Sequence, residues 1–157
     1  MRFLSHLTKA TLAIRFLAFT KIPLMFFCRP KVLKLSDESV TIKIPFNRKT
    51  KNHLGSMYFG AMSIGADLAG GYLVMHHMAK MKLKVSIIFK DFHADFLKRA
   101  EGDVHFVCND GKKIKDLILE ATSKNKRVNQ KLNITAFVPS KFPEEPVARF
   151  ILTLSIK

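Results

Sequence analysis

The sequence predicts an α+β domain in which one long helix packs against an antiparallel sheet. Residues 57–80 form a long apolar helical pattern that contains four glycines. A glycine in a helix interior costs about 1 kcal/mol relative to alanine, so four of them indicate a close neighbour, such as a curved sheet wrapped around the helix. Segments on both sides of this helix alternate apolar and polar residues, which is the pattern of half-buried strands.

The alternating segments give the order of elements in the main domain. One strand precedes the long helix, and four strands with one short helical insertion follow it. The strand ranges are 40–46, 85–97, 104–108, 131–138 and 147–156. The short helix carries Ile114, Leu117, Ile118 and Ala121, with Asn109 or Asp110 as its cap, and residues 139–146 form a turn bounded by prolines.

An N-terminal helical extension, residues 1–33, is predicted to precede the main domain, residues 34–157. The extension is apolar and basic, with no acidic residue. Arg15 and Lys21 interrupt its apolar run too early for a signal peptide, and its uncharged stretches are shorter than the ~20 residues that span a bilayer. We expect an amphipathic helix that ends near Pro23 and either covers the domain or lies on an anionic membrane.

Two stripes of the long helix differ in composition. The apolar stripe consists of Ala61, Ile64, Leu68, Tyr72 and Met75. The small, polar stripe consists of Gly60, Ser63, Asp67 and Gly71. Asp67 is the only ionisable group of the second stripe. Because a buried carboxylate is costly unless it is paired or used, Asp67 either has a structural partner or takes part in chemistry.

Composition limits the classes of partner. The net charge of +15 favours anionic partners, such as nucleic acid, acidic lipid or the phosphates of a nucleotide-like ligand. Basic residues cluster at three places, which form either a solvated face or a contact for such groups: Lys80, Lys82 and Lys84; Lys112, Lys113 and Lys115; and Lys124, Lys126 and Arg127. We expect no nucleic acid, because the chain has no tryptophan and only two tyrosines to supply stacking platforms.

Cysteine usage and motif spacing point to a cytoplasmic protein without metal or bound cofactor. Cys28 and Cys108 are far apart in apolar contexts, which indicates two buried, reduced thiols. The sequence has no metal-ligand spacing, no serine nucleophile elbow and no phosphate-cradling glycine loop.

The segment 52–78 resembles the hotdog-fold thioesterases of the phenylacetate-pathway type. It has Asn-x-x-Gly-Ser, then a helix rich in small residues, and then an acidic residue fifteen positions after the asparagine. It is more similar still to an uncharacterised hotdog branch of unknown function whose members carry Asn-His-x-Gly-Ser/Thr at this place. Residues 92–102 also resemble a stretch of such thioesterases. The resemblance covers residues 34–157 and implies a hotdog fold, with a long central helix wrapped by a curved antiparallel sheet.

The resemblance also implies roles for individual residues. Asp67 would act as general base on water or as nucleophile on the thioester carbonyl. Asn52 would orient the water or the thioester, although it is equally a typical turn residue. The backbone amides near Phe59 and Gly60, at the helix N-terminus, would polarise the thioester carbonyl.

One dipeptide departs from the pattern of the active enzymes. They carry His-Gly just before the helix, where this chain has Tyr58-Phe59. The Tyr58 phenol can still donate a hydrogen bond, whereas Phe59 keeps its amide but crowds the carbonyl site. Two further residues are candidate substrate contacts. His53 is next to Asn52 in the sequence, and Ser63 lies on the same helix stripe as Asp67.

The implied function is hydrolysis of an acyl thioester such as an acyl-CoA, with coenzyme A as part of the substrate and no separate cofactor. The implied assembly is a homodimer, or a tetramer built from it, with sites between subunits. The alternative is a non-catalytic hotdog protein that binds an acyl ligand or an anionic membrane surface. The Tyr58-Phe59 pair favours the alternative, whereas Asn52 and Asp67 favour the enzyme.

Overall fold

The structure, a computed structural model, describes residues 5–157 and has the predicted α+β hotdog architecture. The first four residues of the predicted extension lie outside the described residues. The elements in chain order are α1 (His6–Lys21), α2 (Pro23–Phe27), β1 (Lys31–Leu35), β2 (Val40–Ile44), α3 (Phe59–Met81), β3 (Ile87–Phe96), β4 (Val104–Cys108), α4 (Gly111–Lys124), β5 (Val128–Val138) and β6 (Phe142–Ile156).

All six strands form one antiparallel sheet in the order β1-β2-β4-β5-β6-β3. The sheet wraps the central helix α3, as the hotdog resemblance implies. The predicted helix over residues 57–80 is confirmed as one continuous helix, shifted by one or two residues at each end. β1 and β3 are the two edge strands, so each has one unpaired side.

The structure differs from the predicted elements at four places. Residues 31–35 form strand β1, which the sequence analysis missed. The apolar stretch after Pro23 is the short helix α2. Residues 142–146, predicted as part of a turn, belong to strand β6, and β5 begins three residues before its predicted start.

The glycines of α3 explain how closely the sheet approaches the helix. A Cβ atom on Gly65 would lie 2.2 Å from the ring of Phe106 in β4, and one on Gly70 would lie 3.2 Å from the ring of Phe89. The expectation of a close neighbour therefore holds at these two glycines. It does not hold at Gly71, where the nearest atom would be 3.9 Å away.

The predicted apolar stripe of α3 is not its main core face. The fully buried side of the helix includes Ala66, Ala69, Leu73 and Val74. Leu68, Tyr72 and Met75 instead lie toward α1, where the Tyr72 hydroxyl donates a hydrogen bond to the carbonyl oxygen of Ala10 at 3.2 Å. The stripe therefore marks the side of the helix that the N-terminal extension covers.

The extension is attached to the sheet as well as to α3. The Thr11 hydroxyl of α1 is buried and accepts the backbone N–H of Val32 in β1 at 3.0 Å. Ala10, Ile14 and Ala18 of α1 are buried in the core. No helix among the described residues is long and apolar enough to cross a membrane.

Candidate functional site

The predicted site residues other than Gly60 fall into two separate recesses of the chain. The first, which we call the loop cleft, has a volume of about 570 Å³ and lies between the start of α3 and the end of β3. Its walls include Asn52, His53, Tyr58 and Phe59 on one side. Residues 96–100 form the other side.

Asn52 shapes the loop that forms this cleft. Its Oδ1 accepts the backbone N–H groups of Leu54 at 2.9 Å and Ser56 at 3.1 Å. Its Nδ2 donates to the Ser56 hydroxyl at 3.1 Å. These bonds match the turn-residue alternative, and they leave one Nδ2 hydrogen without a partner among the described residues. His53 is exposed at the same cleft.

The first turn of α3 presents open backbone donors beside the cleft. Tyr58 is the N-cap residue, has an extended backbone and makes no side-chain cap hydrogen bond. The N–H groups that begin a helix have no intrahelical partner, so those of Phe59 and Gly60 are open to an acceptor. The ring of Tyr58 packs 4.7 Å from the ring of Phe59, and its Cε1 lies 2.5 Å from where a Cβ on Gly60 would stand. Gly60 therefore makes room for the tyrosine and does not line the cleft itself.

Two cations stand on the far wall of the loop cleft, Lys98 and Arg99. Lys98 pairs with Glu145 and lies 4.7 Å above the ring of Phe142. Arg99 is exposed and forms no salt bridge with another described residue. The sequence analysis did not select either residue, although both lie in the segment 92–102 that carries part of the resemblance.

Asp67 lies in the second recess, which has a volume of about 240 Å³ and which we call the Asp67 recess. The carboxylate accepts no hydrogen bond and forms no salt bridge within residues 5–157. Burial among apolar groups raises the pKa of Asp67 to about 6. Ser63 shares this recess, but its hydroxyl donates to the carbonyl oxygen of Phe59 at 3.0 Å. The remaining walls are Ile64, Phe89, Phe92 and Leu152.

A third cavity reaches Asp67 from the side of the extension. This elbow cavity, of about 200 Å³, lies between α1, α2, α3 and β3. Apart from Asp67 and the Tyr72 hydroxyl, its lining is apolar. The lining from α1 and α2 consists of Ile14, Leu17, Ile22 and Met25. Sequence reasoning missed this cavity, and the apolar stripe of α3 that faces α1 was its only signal.

The loop cleft and the Asp67 recess both open on the edge strand β3. Phe92 and Phe96 pair with the buried residues Leu152 and Ala148, so they point toward the helix side of the sheet. They are nevertheless 43% and 50% exposed. Phe92 lines the Asp67 recess and Phe96 lines the loop cleft. The concave face of the sheet is therefore uncovered along this edge, beside both recesses.

The cysteines form no disulfide, and the titratable groups outside the recesses include a surface cluster in which Asp37 pairs with His76 and Lys80. Cys28 and Cys108 are both buried, and burial raises the pKa of Cys108 to about 11. Within residues 5–157, no three His, Cys, Asp or Glu side chains converge to hold a metal ion.

A family model matches residues 11–140 of the chain, a range that contains the lining of the loop cleft, of the elbow cavity and, except for Leu152, of the Asp67 recess. The chain belongs to the family described as Domain of unknown function (DUF4442). This membership agrees with the resemblance to an uncharacterised hotdog branch. A search of curated proteins finds no significant match for this DUF4442 protein.

Solved structures of low sequence identity share the fold of this DUF4442 protein. A protein of unknown function from Pseudomonas aeruginosa, named a probable thioesterase, is 24% identical with a TM-score of 0.77, covering 94% of this chain and 95% of that one. A protein of unknown function from Chlorobaculum tepidum is 12% identical with a TM-score of 0.81, covering 94% of each chain. A thioesterase from Haemophilus influenzae is 10% identical with a TM-score of 0.66, covering 99% and 92%.

Proposed function

We propose that this DUF4442 protein hydrolyses an acyl thioester, with Asp67 as general base on water or as nucleophile on the carbonyl carbon. The observation that carries the proposal is a carboxylate that has no hydrogen-bond or salt-bridge partner among residues 5–157 and is set between two largely apolar cavities. Its raised pKa, about 6, leaves it deprotonated at neutral pH yet more basic than an exposed aspartate. Strongly perturbed carboxylates in clefts are candidates for catalysis. The thioesterase names of two structural relatives support the same reaction.

The proposed site is completed by a second copy of the chain. β3 is an edge strand whose inner aromatic side chains are uncovered, and an unpaired edge favours pairing with another strand. An antiparallel pairing of β3 with its own copy is symmetric about the middle of the strand. Such pairing places the end of β3 in one protomer, near Phe96, beside the start of β3 in the other, near Ile88.

This pairing brings together the recesses that are separate in one protomer. The loop cleft lies at the end of β3, and the Asp67 recess lies at its start and middle. Asn52, Tyr58 and the amides of Phe59 and Gly60 would then face Asp67 of the partner subunit. In this arrangement the amides stabilise the developing oxyanion, while Asp67 delivers or activates the nucleophile.

The cavities fit the two ends of an acyl-CoA or a similar thioester. The elbow cavity, at about 200 Å³, exceeds the roughly 150 Å³ apolar cavity that holds benzene, so a small acyl or aryl group fits in it. Arg99, on the far wall of the loop cleft and without a salt bridge to another described residue, would supply the positive charge that binds a phosphate.

A second candidate function is binding of an acyl ligand without turnover. Two observations favour it. The Asn52 amide is engaged by its own loop, and the bulk of Tyr58 and Phe59 stands at the helix start where the active enzymes have His-Gly.

Hydrolysis of a panel of acyl-CoAs by the wild type and by Asp67→Asn separates the two functions. Asp116→Asn, an exposed aspartate on α4, is the matched control. The enzyme proposal predicts turnover by the wild type and the control and its loss in Asp67→Asn. If the wild type is no faster than Asp67→Asn, the enzyme proposal fails. Binding of a non-hydrolysable thioether analogue by both proteins would then support the binding function.

A further inference from the structure

We propose that the elbow formed by α1 and α2 docks this protein onto an anionic lipid surface. We call this docking surface the elbow face. It consists of the exposed apolar side chains of the two helices and the cations at their ends. Its apolar members are Leu12, Phe16, Phe19, Ile22, Leu24, Phe26 and Phe27. Apart from Ile22, none of these apolar side chains lines the elbow cavity.

Helix α1 is apolar on two opposite sides. Its inner side is buried against the domain through Ala10, Ile14 and Ala18. Its outer side exposes 70% of Phe16 and 64% of Phe19. A helix that packs on a domain ordinarily has a polar outer face, so the exposed phenylalanines on the outer side of α1 indicate that a second apolar environment covers that side. Covering the domain and lying on a membrane are therefore compatible, because they use different sides of the helix.

Helix α2 extends the same apolar surface. The rings of Phe19 and Phe26 pack edge to face with centroids 5.2 Å apart, which joins the two helices. Leu24 and Phe27 beyond them are also exposed. A contiguous exposed patch of large apolar side chains marks an interaction site in a folded protein.

The charged side chains that α1, α2 and their flanking residues contribute are all cationic. The sequence from residue 5 to residue 36 contains no acidic residue. Lys9 and Lys21 lie near the two ends of α1, Arg29 follows α2 and Lys31 begins β1. All four are exposed, and none forms a salt bridge with another described residue. Lys49 lies 5.5 Å above the ring of Phe27, so the cations reach the apolar patch itself.

This combination selects a lipid surface over a second copy of the chain. An isologous contact would set the same cations against one another, and like charges across an interface oppose association. Bulky apolar side chains in a helix flanked by lysine and arginine are instead typical of helices that lie in the bilayer interface. There the phenylalanines enter the acyl boundary while the cations contact anionic headgroups.

Co-sedimentation of the full-length protein with vesicles tests the proposal. The vesicles contain phosphatidylcholine alone or phosphatidylcholine with added phosphatidylglycerol. We expect binding only to the anionic vesicles, with an affinity that falls as ionic strength rises. The variant Lys21→Gln/Lys31→Gln is expected to bind about fivefold more weakly for each charge removed. Phe16→Gln/Phe19→Gln is expected to abolish binding at low salt.

Two control variants make the same chemical changes on α4, away from the elbow face. Lys112→Gln/Lys115→Gln removes two exposed lysines, and Leu119→Gln removes an exposed leucine. Both are expected to bind like the wild type. Equal binding of all variants, or wild-type binding to phosphatidylcholine alone, overturns the proposal. So does a fall in the molecular mass of Phe16→Gln/Phe19→Gln by light scattering, because the elbow face would then be a contact between copies.

Discussion

A Cβ atom added to Gly65 would stand 2.2 Å from Cε2 of Phe106, a separation that real side chains do not reach. Gly65 lies on the central helix and Phe106 is a fully buried residue of strand β4. The helix therefore touches the sheet through its backbone at this point, and the phenylalanine ring occupies the place of the missing side chain.

Gly65→Ala is expected to destabilise the protein by about 1–3 kcal/mol. Alanine gains about 1 kcal/mol in helix propensity, but the overpacked Phe106 ring has no room to move, and that cost exceeds the gain. Gly71→Ala is the matched control, because its nearest neighbour would be at an ordinary 3.9 Å, and it is expected to leave stability unchanged or raise it by up to about 1 kcal/mol. Urea unfolding curves measure both, and equal effects of the two variants would contradict the close contact.

Asp67 makes stability depend on pH. Its pKa is about 6 in the folded protein and has an ordinary value of 3.8. Between these two values the folded state binds more protons than the unfolded state, so stability falls as pH rises through this window and levels off above it. The loss is at most about 3 kcal/mol. Asp67→Asn is expected to remove this pH dependence and to be more stable than the wild type at pH 7, as measured by unfolding at several pH values.

The proposed hydrolysis depends on pH through the same group. Because the base or nucleophile must be deprotonated, kcat/KM is expected to rise with pH and to level off above about 6. A pH–rate profile on one acyl-CoA measures this. If kcat/KM does not change between about pH 4 and about pH 7, Asp67 is neither the base nor the nucleophile of the reaction.

Thr11→Val is expected to destabilise the protein by about 1–3 kcal/mol. The substitution keeps the shape of the side chain but leaves the buried N–H of Val32 without an acceptor. Thr11→Ser keeps the hydroxyl and is the control, with a smaller loss. Thermal unfolding of the three proteins measures the difference. A Val variant as stable as the wild type would mean that water replaces the hydroxyl.

Phe92→Asp is expected to convert a dimer into a monomer. The ring is 43% exposed on the edge strand, where the proposed partner would cover it, and a carboxylate there would be desolvated by pairing. Leu119→Asp, at a similarly exposed leucine of α4, is expected to leave the mass unchanged. Light scattering at micromolar concentration measures the mass. A wild type that is already monomeric would contradict the proposed assembly.

Tyr58→His is expected to raise the rate of hydrolysis if the tyrosine limits turnover. An imidazole is smaller than a phenol and stands at this place in the active enzymes that the sequence resembles. The ring of Tyr58 is exposed, so the change leaves the core intact. Steady-state kinetics on the best acyl-CoA measure the effect. An unchanged or lower kcat/KM would show that the tyrosine is not the limiting group.

The sequence predicted the central helix and most strands because their signals are local. The glycines of α3 and the alternation of β2, β4 and β6 each depend on residues close in the chain. β1 was missed because its five residues are short and carry lysines, and only pairing with β2 orders them. The start of β6 was missed because Pro143 and Pro146 suggest a turn, whereas the structure accommodates them in a strand that shifts register there.

The sequence was sufficient to select candidate site residues, but it was not sufficient to predict how these residues are arranged in space. Asp67 stood out because it is the only ionisable group among small and apolar neighbours. The division of the predicted residues between the loop cleft and the Asp67 recess depends on where β3 lies at the sheet edge, which no local pattern encodes. The turn role of Asn52 was among the alternatives, and the structure shows the hydrogen bonds that fulfil it.

The link between Thr11 and Val32 has a consequence for how far sheets of this protein can grow. It occupies a backbone donor of the edge strand β1, whose register also shifts between Val32 and Lys34. An irregular edge that carries lysines and is bonded to its own helix is a poor template for another strand. Of the two edge strands, β1 is therefore the poorer template, and in the proposed assembly β3 is already paired with its own copy. Strand-by-strand polymerisation would then stop at the dimer, which would keep this protein out of fibres.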